Sequence, residues 1–352
     1  MDELLAAIVA APDDDDNYLV YADWLQSRGD PRGELIALHH AGQTERANEL
    51  AHSLLPQALA SVLDRGLRLD WRLGFVERAR LGRLDSASEP DARQVLDTLL
   101  ADPSARVLRE LVLDICTWHR WVYMERLWGA LVATPVPPPL RRLQIGDFVE
   151  REPHNPPYPE RDISAVEVGD VSPLWPLLPA LEELELQGCH FQLGTLDSPR
   201  LRSIELCSST VGDEHLTAIR APNLERLIIW CGDGEYGGGV TYEGLSELLR
   251  RAPPTLVELG IMNTVHSDDI ATLLPKLPLA RQLRVLDLGL GLLSDDGARE
   301  LTRRGFPVLE ELRVQLSYVS AAVLTELSRW CPSVHGAPGR NSDSRRYVSV
   351  SE

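Results

Sequence analysis

The feature that most constrains this chain is a spaced set of apolar residues that recurs along its length. In each copy an apolar residue is followed by two variable positions, a second apolar residue, one variable position and a third apolar residue. The copies are Leu108-Leu111-Leu113, Leu140-Leu143-Ile145, Ile163-Val166-Val168, Leu181-Leu184-Leu186, Leu201-Ile204-Leu206, Leu224-Leu227-Ile229, Leu256-Leu259-Ile261, Leu283-Leu286-Leu288 and Leu309-Leu312-Val314. Their starts lie 18 to 32 residues apart. Such a period indicates a structural repeat.

This spacing predicts a short strand in each repeat. In extended chain the second and third apolar positions point to the same side. One such strand cannot bury that side alone, so neighbouring strands are expected to stack in parallel over a shared core. Helical stretches are predicted between later strands, over 243–251, 268–274, 295–304 and 321–330. Cap residues precede them at Thr241, Ser267, Ser294 and Ser320.

The alternation of strand and helix over residues 108–332 resembles the ribonuclease-inhibitor type of leucine-rich repeat. The resemblance implies an α/β solenoid with parallel strands on its concave side and helices or turns on its convex side. This resemblance is specific for the fold and implies nothing about the ligand. The repeats between 163 and 223 are too short for a full helix each, so we expect turns or 3₁₀ segments there.

The N-terminal segment has a different pattern. Apolar residues occur at helical spacing before, within and after the segment from Pro12 to Leu25. That segment is followed by Arg28-Gly29-Asp30-Pro31-Arg32-Gly33-Glu34-Leu35-Ile36. This stretch resembles the bacterial repeat-companion domain, a short all-α module ahead of repeat arrays that has no assigned chemistry. The resemblance implies a bacterial protein. The expected domains are a helical module at 1–70, a solenoid at 71–335 with a proline-rich loop near 150–160, and a polar tail at 336–352.

The net charge of −18 restricts the choice of partner. A field of this sign repels phosphate backbones, which excludes nucleic acid as a first expectation. It favours a basic protein partner, or it serves only solubility. The five cysteines form no C-x-x-C pair and are predicted to be reduced thiols in a cytoplasmic protein. No apolar run is long enough for a bilayer, so we expect no membrane association.

No arrangement of residues predicts catalysis, a cofactor or a metal. The acidic run Asp13 to Asp16 lacks the alternating ligands of a calcium loop and is predicted to cap a helix. Cys231-Gly232-Asp233 is similar to the Cys-x-Asp motif of bacterial leucine-rich-repeat ubiquitin ligases. In those enzymes the motif lies in a separate helical domain, whereas here it follows a predicted strand. We therefore expect a structural thiol and a protein that is not an enzyme.

The variable positions of the strands are the candidate partner-binding surface. Glu167, Glu185 and Glu205 have the same offset in three successive repeats, so they are predicted to stack as a ladder of carboxylates. Ile228, Trp230 and Met262 are predicted to face water beside it, which is the composition of a binding hot spot. The full set of predicted partner-binding residues is Glu167, Glu183, Glu185, Glu205, Arg226, Ile228, Trp230, Met262, Asp287 and Arg313.

Three functions remain open at this point. The first is a non-enzymatic scaffold or regulatory adaptor whose acidic and aromatic concave face binds a basic protein. The second is a structural or assembly protein that docks through its N-terminal helical module. The third is a hydrolase or ubiquitin-ligase-like enzyme with an unrecognised site. The sequence does not give the partner, the pathway or the oligomeric state.

Overall fold

The structure is a computed structural model that describes most of the chain. The described residues are 3–82, 91–114, 122–146, 166–208, 210–232, 234, 237–303, 305–339 and 348. The chain divides into two compact units. The N-terminal unit comprises Met1–Asp147 with Pro176–Leu181, and the C-terminal unit comprises Phe148–Trp175 with Glu182–Glu352. The predicted proline-rich loop near 150–160 lies outside the described residues.

The N-terminal unit combines helices with a small sheet. Its helices are α1 (Glu3–Ala10), α2 (Asp15–Ser27), α3 (Arg32–His40), α4 (Thr44–Leu54), α5 (Gln57–Ala60), α6 (Ala92–Ala101) and α7 (Glu125–Ala133). Its strands are β1 (Leu67–Arg72), β2 (Phe75–Leu81), β3 (Glu110–Leu113), β4 (Val122–Tyr123) and β5 (Arg142–Ile145). Strands β1 and β2 form an antiparallel hairpin, and β2, β3 and β5 then pair in parallel.

The first three helices share a core with the hairpin. Tyr18, Tyr21 and Leu25 of α2 belong to one buried cluster with Phe75 and Val107. The Tyr18 ring meets Phe75 edge-on, with 5.6 Å between ring centroids. The apolar face of α2 is therefore buried partly against residues beyond position 70, whereas α3 and α4 form a second buried cluster through Leu35, Leu38, Ala47 and Ala51.

The acidic run caps α2, as predicted. Asp14 is the N-cap residue, and its carboxylate accepts a hydrogen bond from the Asp16 amide at 3.2 Å. The Asp13 carboxylate accepts hydrogen bonds from Arg109 at 2.6 Å and from Arg141 at 3.2 Å. The hydrogen bond from Arg109 is the main reason that the pKa of Asp13 lies below its ordinary value. The run thus joins the helix start to the following strands.

The C-terminal unit is built around a parallel sheet. The strands of that sheet are β7 (Glu183–Gln187), β10 (Ser203–Cys207), β12 (Arg226–Gly232), β13 (Glu258–Thr264), β14 (Val285–Asp287), β15 (Glu311–Arg313) and β16 (Ser333–His335), and they pair in this order. The other strands are β6 (Val166–Asp170), β8 (Cys189–Gln192), β9 (Leu196–Asp197) and β11 (Ile219–Arg220). The helices are α8 (Asp213–Ala218), α9 (Tyr242–Arg250), α10 (Ser267–Leu273), α11 (Asp295–Thr302) and α12 (Ala321–Trp330).

The strand pairing follows the repeat pattern. Each central leucine or isoleucine of the pattern pairs in register with the equivalent residue of the next strand, and all of them are fully buried. The row consists of Leu184, Ile204, Leu227, Leu259, Leu286 and Leu312. The predicted parallel strands are therefore confirmed in this unit. Strand β16 extends the sheet by Val334 and was not predicted, because its sequence lacks the apolar triplet.

The layer behind this sheet changes along the chain. The later repeats have the predicted helices α9 to α12. The short middle repeats have short parallel strands instead, because β9 pairs with β11 and β6 pairs with β8. The 3₁₀ helix Ser172–Leu177 confirms part of the expectation for the middle repeats. The expectation missed the short strands, whose backbone groups form ladders with one another.

A chain of helix caps joins successive repeats. The Ser294 hydroxyl accepts a hydrogen bond from the Gly297 amide at the start of α11. The same hydroxyl donates to Asp268 of the preceding helix at 2.7 Å, and the Ser294 amide donates to the other carboxylate oxygen at 2.7 Å. Asp268 therefore holds the cap of its neighbour. Equivalent bonds join Thr241 to Asp213 and Ser320 to Asp295.

Replacing Asp268 with alanine tests this connection. The Asp268→Ala variant leaves the Ser294 amide and hydroxyl without their acceptor, so we expect the free energy of unfolding to fall by about 1–2 kcal/mol. The matched control is Asp269→Ala, because Asp269 is exposed and its nearest ion-pair contact, to His266, is 3.9 Å long. Urea denaturation followed by circular dichroism measures both, and equal losses would contradict the role of Asp268.

Candidate protein-interaction surface

One face of the C-terminal sheet carries the variable positions between the buried leucines. We call it the variable face. Its side chains are Glu183, Glu185, Gln187, Ser203, Glu205, Cys207, Arg226, Ile228, Trp230, Glu258, Met262, Val285, Asp287, Glu311, Arg313, Ser333 and His335. Alternation along each strand places these side chains opposite the leucine core. The strand register then determines which of them are neighbours.

Two of the three predicted ladder carboxylates are neighbours. Glu185 of β7 pairs in register with Glu205 of β10. Glu167 does not join them, because it lies in β6 and pairs with Cys189 of β8. The three-residue ladder was therefore wrong at Glu167.

The reason for the displacement of Glu167 is a close approach at a glycine. Gly188 has φ of +146°, and a Cβ atom there would lie 2.4 Å from the Val166 carbonyl oxygen. Only glycine allows this contact, which brings β6 beside the segment that follows β7. The repeat that starts at Ile163 is also too short to supply both a sheet strand and a back layer.

Arg226 forms an ion pair with one of the two stacked carboxylates from within the protein. Its Nη2 atom donates to the Glu205 carboxylate at 2.6 Å, and the Glu205 side chain is 5% exposed. Burial lowers the pKa of Arg226, but Glu205 and Glu258 outweigh that effect and the pKa lies above its ordinary value. The protein itself therefore places a positive charge beside the ladder.

The ion pairs continue along the face towards β16. Arg226 and Arg313 approach the same Glu258 oxygen, at 3.5 and 3.3 Å. Arg313 also donates to Glu311 at 2.7 Å, and His335 lies 3.3 Å from Glu311. The hydrogen bond from Arg313 holds the pKa of Glu311 below its ordinary value, although burial acts in the opposite direction. Arg226, Glu258, Arg313 and Glu311 each contact two other members, so the network restrains their side-chain positions.

The apolar side chains of the face are less exposed than predicted. Ile228 is 1% exposed and Met262 is 6% exposed, so the prediction that they face water was wrong. Gly260 explains why Ile228 is buried, since a Cβ atom at position 260 would lie 2.6 Å from Ile228 Cδ1. The isoleucine side chain thus fills the space that glycine leaves open. Trp230, which pairs in register with Met262, is half-buried and presents part of its ring.

Asp287 serves the fold. It is 3% exposed, and its carboxylate accepts a hydrogen bond from the Gly289 amide at 2.9 Å, which closes the turn after β14. Because so little of this carboxylate is accessible, it offers a partner little contact area. Glu183 is exposed at the β7 end of the face, and Glu185 is half-buried.

Two features of the face were missed as site residues. Glu258 lies between both arginines, and only the register of β12 with β13 shows this. His335 lies on β16, and its Nε2 is 2.9 Å from the Ser333 hydroxyl. The sequence offered one signal for β16. The capped helices before α12 are each followed by a strand, so a strand could have been expected after α12 as well.

The structure gives no chemical activation to Cys231. The thiol is fully buried at the end of β12, and burial raises its pKa to about 12. It is therefore a protonated thiol at neutral pH, as expected for a structural cysteine. Within the described part of the chain, no group of histidine, cysteine, aspartate and glutamate side chains could hold a metal ion. In the same ranges, no helix is both long and apolar enough to cross a bilayer.

Comparison with known proteins bears on the fold. No protein-family model and no curated protein matches this chain. Among solved structures, it is similar to a crystal structure of a protein from Bacteroides fragilis, with a TM-score of 0.59 and 22% identity over 78% of this chain and 77% of that one. An internalin from Listeria monocytogenes matches with a TM-score of 0.34 and 12% identity over 76% of this chain and 83% of that one. The first similarity is one of fold, and the second is too low to support an argument.

Removing Arg226 tests the internal neutralisation. In the Arg226→Gln variant the buried Glu205 carboxylate loses its ion pair, so we expect the free energy of unfolding to fall by about 2–3 kcal/mol. Urea denaturation measures this loss. Adding Glu205→Gln should recover part of it, because the uncompensated buried charge is then removed.

The matched control for this experiment is Arg202→Gln. Arg202 forms an ion pair with Glu225 on neighbouring segments, but these side chains are 58% and 46% exposed. Such a pair contributes less than about 1 kcal/mol. A loss at Arg226 no larger than that at Arg202 would show that the buried pair does not stabilise the fold.

Proposed function

We propose that this chain is a non-enzymatic protein-interaction scaffold of leucine-rich-repeat type, and that the variable face of the C-terminal unit binds the partner. In this proposal the repeats are of the ribonuclease-inhibitor type and form a solenoid, with the variable face on its concave side. The N-terminal helices are those of a bacterial repeat-companion module. The protein is proposed to be cytoplasmic, which agrees with the buried, reduced thiols of Cys231 and Cys331.

The observation that carries this proposal is the half-buried Trp230 beside a fixed network of charges. Tryptophan and arginine are the residue types most enriched at binding hot spots. Here Trp230 follows Arg226 on β12, and Glu258 connects Arg226 to Arg313. Ion pairs already hold both arginines in place, so binding costs little side-chain entropy. The face is thus organised before a partner arrives.

The charge of the face supports a basic partner. Carboxylates on the variable face outnumber guanidinium groups even after Arg226 and Arg313 are paired. Glu183 is exposed at one end, where it can contact a partner's lysine or arginine. Charges of this kind at the rim of an interface mainly set the association rate and its salt dependence. The proposed partner is therefore a basic protein that contributes an apolar contact to Trp230.

The alternative proposal is docking through the N-terminal helices, and one observation favours it. Val20 of α2 is 54% exposed, although the opposite side of that helix is buried. An exposed valine on a packed helix is a possible contact for an assembly partner. The Val20→Asp variant separates this proposal from the main one, because it changes the N-terminal helices and leaves the variable face intact.

Quantitative affinity capture from extracts of the native cell tests the proposal. We expect Trp230→Ala to reduce recovery of a specific partner at least tenfold, since hot-spot tryptophans contribute about 2 kcal/mol or more. The Glu183→Gln, Glu185→Gln double variant should weaken capture mainly at low salt. The matched control is Glu243→Gln with Glu247→Gln, on the exposed side of α9.

Circular dichroism melting of each variant first establishes that the fold is retained. Equal recovery by wild-type protein and by Trp230→Ala would exclude the variable face as the main contact. Loss of capture with Val20→Asp alone would support docking through the N-terminal helices instead.

A further inference from the structure

A cavity of about 340 Å³ lies in the C-terminal unit, where strand β11 meets helix α9. Apolar side chains form most of its lining. Ile219 and Ala221 belong to the β11 segment, Leu248 and Leu249 belong to α9, and Leu227 comes from the buried side of the sheet. All five are buried. The volume lies within the range of small-molecule binding sites.

The cavity follows from a change in the layer behind the sheet. Helix α8 has 6 residues and passes directly into the short strand β11, whereas α9 in the next repeat has 9 residues. A helix with its side chains is about 10 Å across, and a strand is thinner. The β11 segment and the last turn of α9 both line this space, and the thinner strand leaves it unfilled.

Two arginines line the same cavity. The Arg251 guanidinium donates a hydrogen bond to the Leu216 carbonyl oxygen near the end of α8, which fixes its position. Arg220 is exposed on β11. Among the described residues, no carboxylate lies within 4.0 Å of either guanidinium. Asp197 also lines the cavity and pairs in register with Arg220, but it lies beyond this distance.

Two arginines that precede strands of the sheet, Arg202 before β10 and Arg284 before β14, have carboxylate partners. Arg202 forms an ion pair with Glu225, and Arg284 forms one with Glu310. In a chain with a net charge of −18, carboxylates are plentiful. Arg220 and Arg251 nevertheless lie beside an apolar cavity with no such partner in the part of the chain that the structure describes. Guanidinium groups bind carboxylates and phosphates through charge-assisted hydrogen bonds.

We propose that this cavity binds a small amphiphile with an aliphatic body and one anionic head group, of the kind represented by a medium-chain fatty acid. The aliphatic body occupies the space between Ile219 and Leu249. The head group lies at Arg220 and Arg251. This site shares no side chain with the variable face, so the two proposals stand or fall separately.

Isothermal titration calorimetry with octanoate, below its micelle concentration, tests the site. We expect saturable binding of octanoate to the wild-type chain and weaker binding of octanol, which has the same chain length without the charge. Arg220→Gln should weaken octanoate binding about tenfold and leave octanol binding unchanged, because only the head-group contact is lost. Octanoate should also raise the melting temperature of the wild-type protein.

Two further variants make the test specific. Ala252→Phe, at a half-buried position of the lining, fills the cavity and should abolish binding of both ligands. Arg281→Gln is the matched control, since Arg281 is exposed and does not line the cavity. The proposal is overturned if octanoate shows no saturable binding. It is equally overturned if Arg220→Gln binds octanoate as the wild type does, or if Ala252→Phe retains binding.

Discussion

The register of the parallel strands is the constraint on which the C-terminal unit depends. A single strand such as β12 can bury Leu227 only if equivalent residues on both neighbouring strands lie at the same level. The row from Leu184 to Leu312 satisfies this condition throughout. A shift of one residue would turn the whole row to the opposite side of the sheet. The caps held by Asp213, Asp268 and Asp295 then join α9, α11 and α12 each to the helix before it.

The same register decides the electrostatics of the variable face. It places Glu185 beside Glu205, an arrangement that is unfavourable by itself. It also brings Arg226 within 2.6 Å of Glu205 and puts Glu258 between two arginines. The like charges are thus stabilised inside the protein. A partner would therefore meet an ordered surface with Trp230 partly exposed and would not need to relieve an unpaired row of carboxylates.

The two proposed sites arise from different properties of the repeat. The variable face is a product of regularity, because aligned strands bring side chains from separate repeats together. The cavity beside α9 is a product of irregularity, because a thin repeat precedes a thick one. Its walls come from buried leucines that the fold requires anyway. Arg220 and Arg251 add positive charge there, and Arg251 also donates a hydrogen bond to the Leu216 carbonyl oxygen of α8.

The sequence by itself determined the positions of the strands that carry the apolar triplets, the caps at Thr241, Ser294 and Ser320, and the leucine core. It did not determine a cap at Ser267, which lies inside α10 and donates its hydroxyl to the Thr264 carbonyl oxygen. The successful predictions share one origin. These follow from local spacing, since alternate residues of a strand share one side and a serine or threonine before a helix caps its amides. The acidic run before α2 was predictable for the same reason. Only the tertiary structure decided what the variable side chains do, because their neighbours lie in other repeats. Glu167 lies outside the ladder because β6 approaches Gly188 closely, and Ile228 is buried because its side chain packs over Gly260. Asp287 turned to the Gly289 amide, and Arg226 took Glu205 as its partner. Each of these outcomes depends on distances between strands, and the spacing of residues along the chain does not determine those distances.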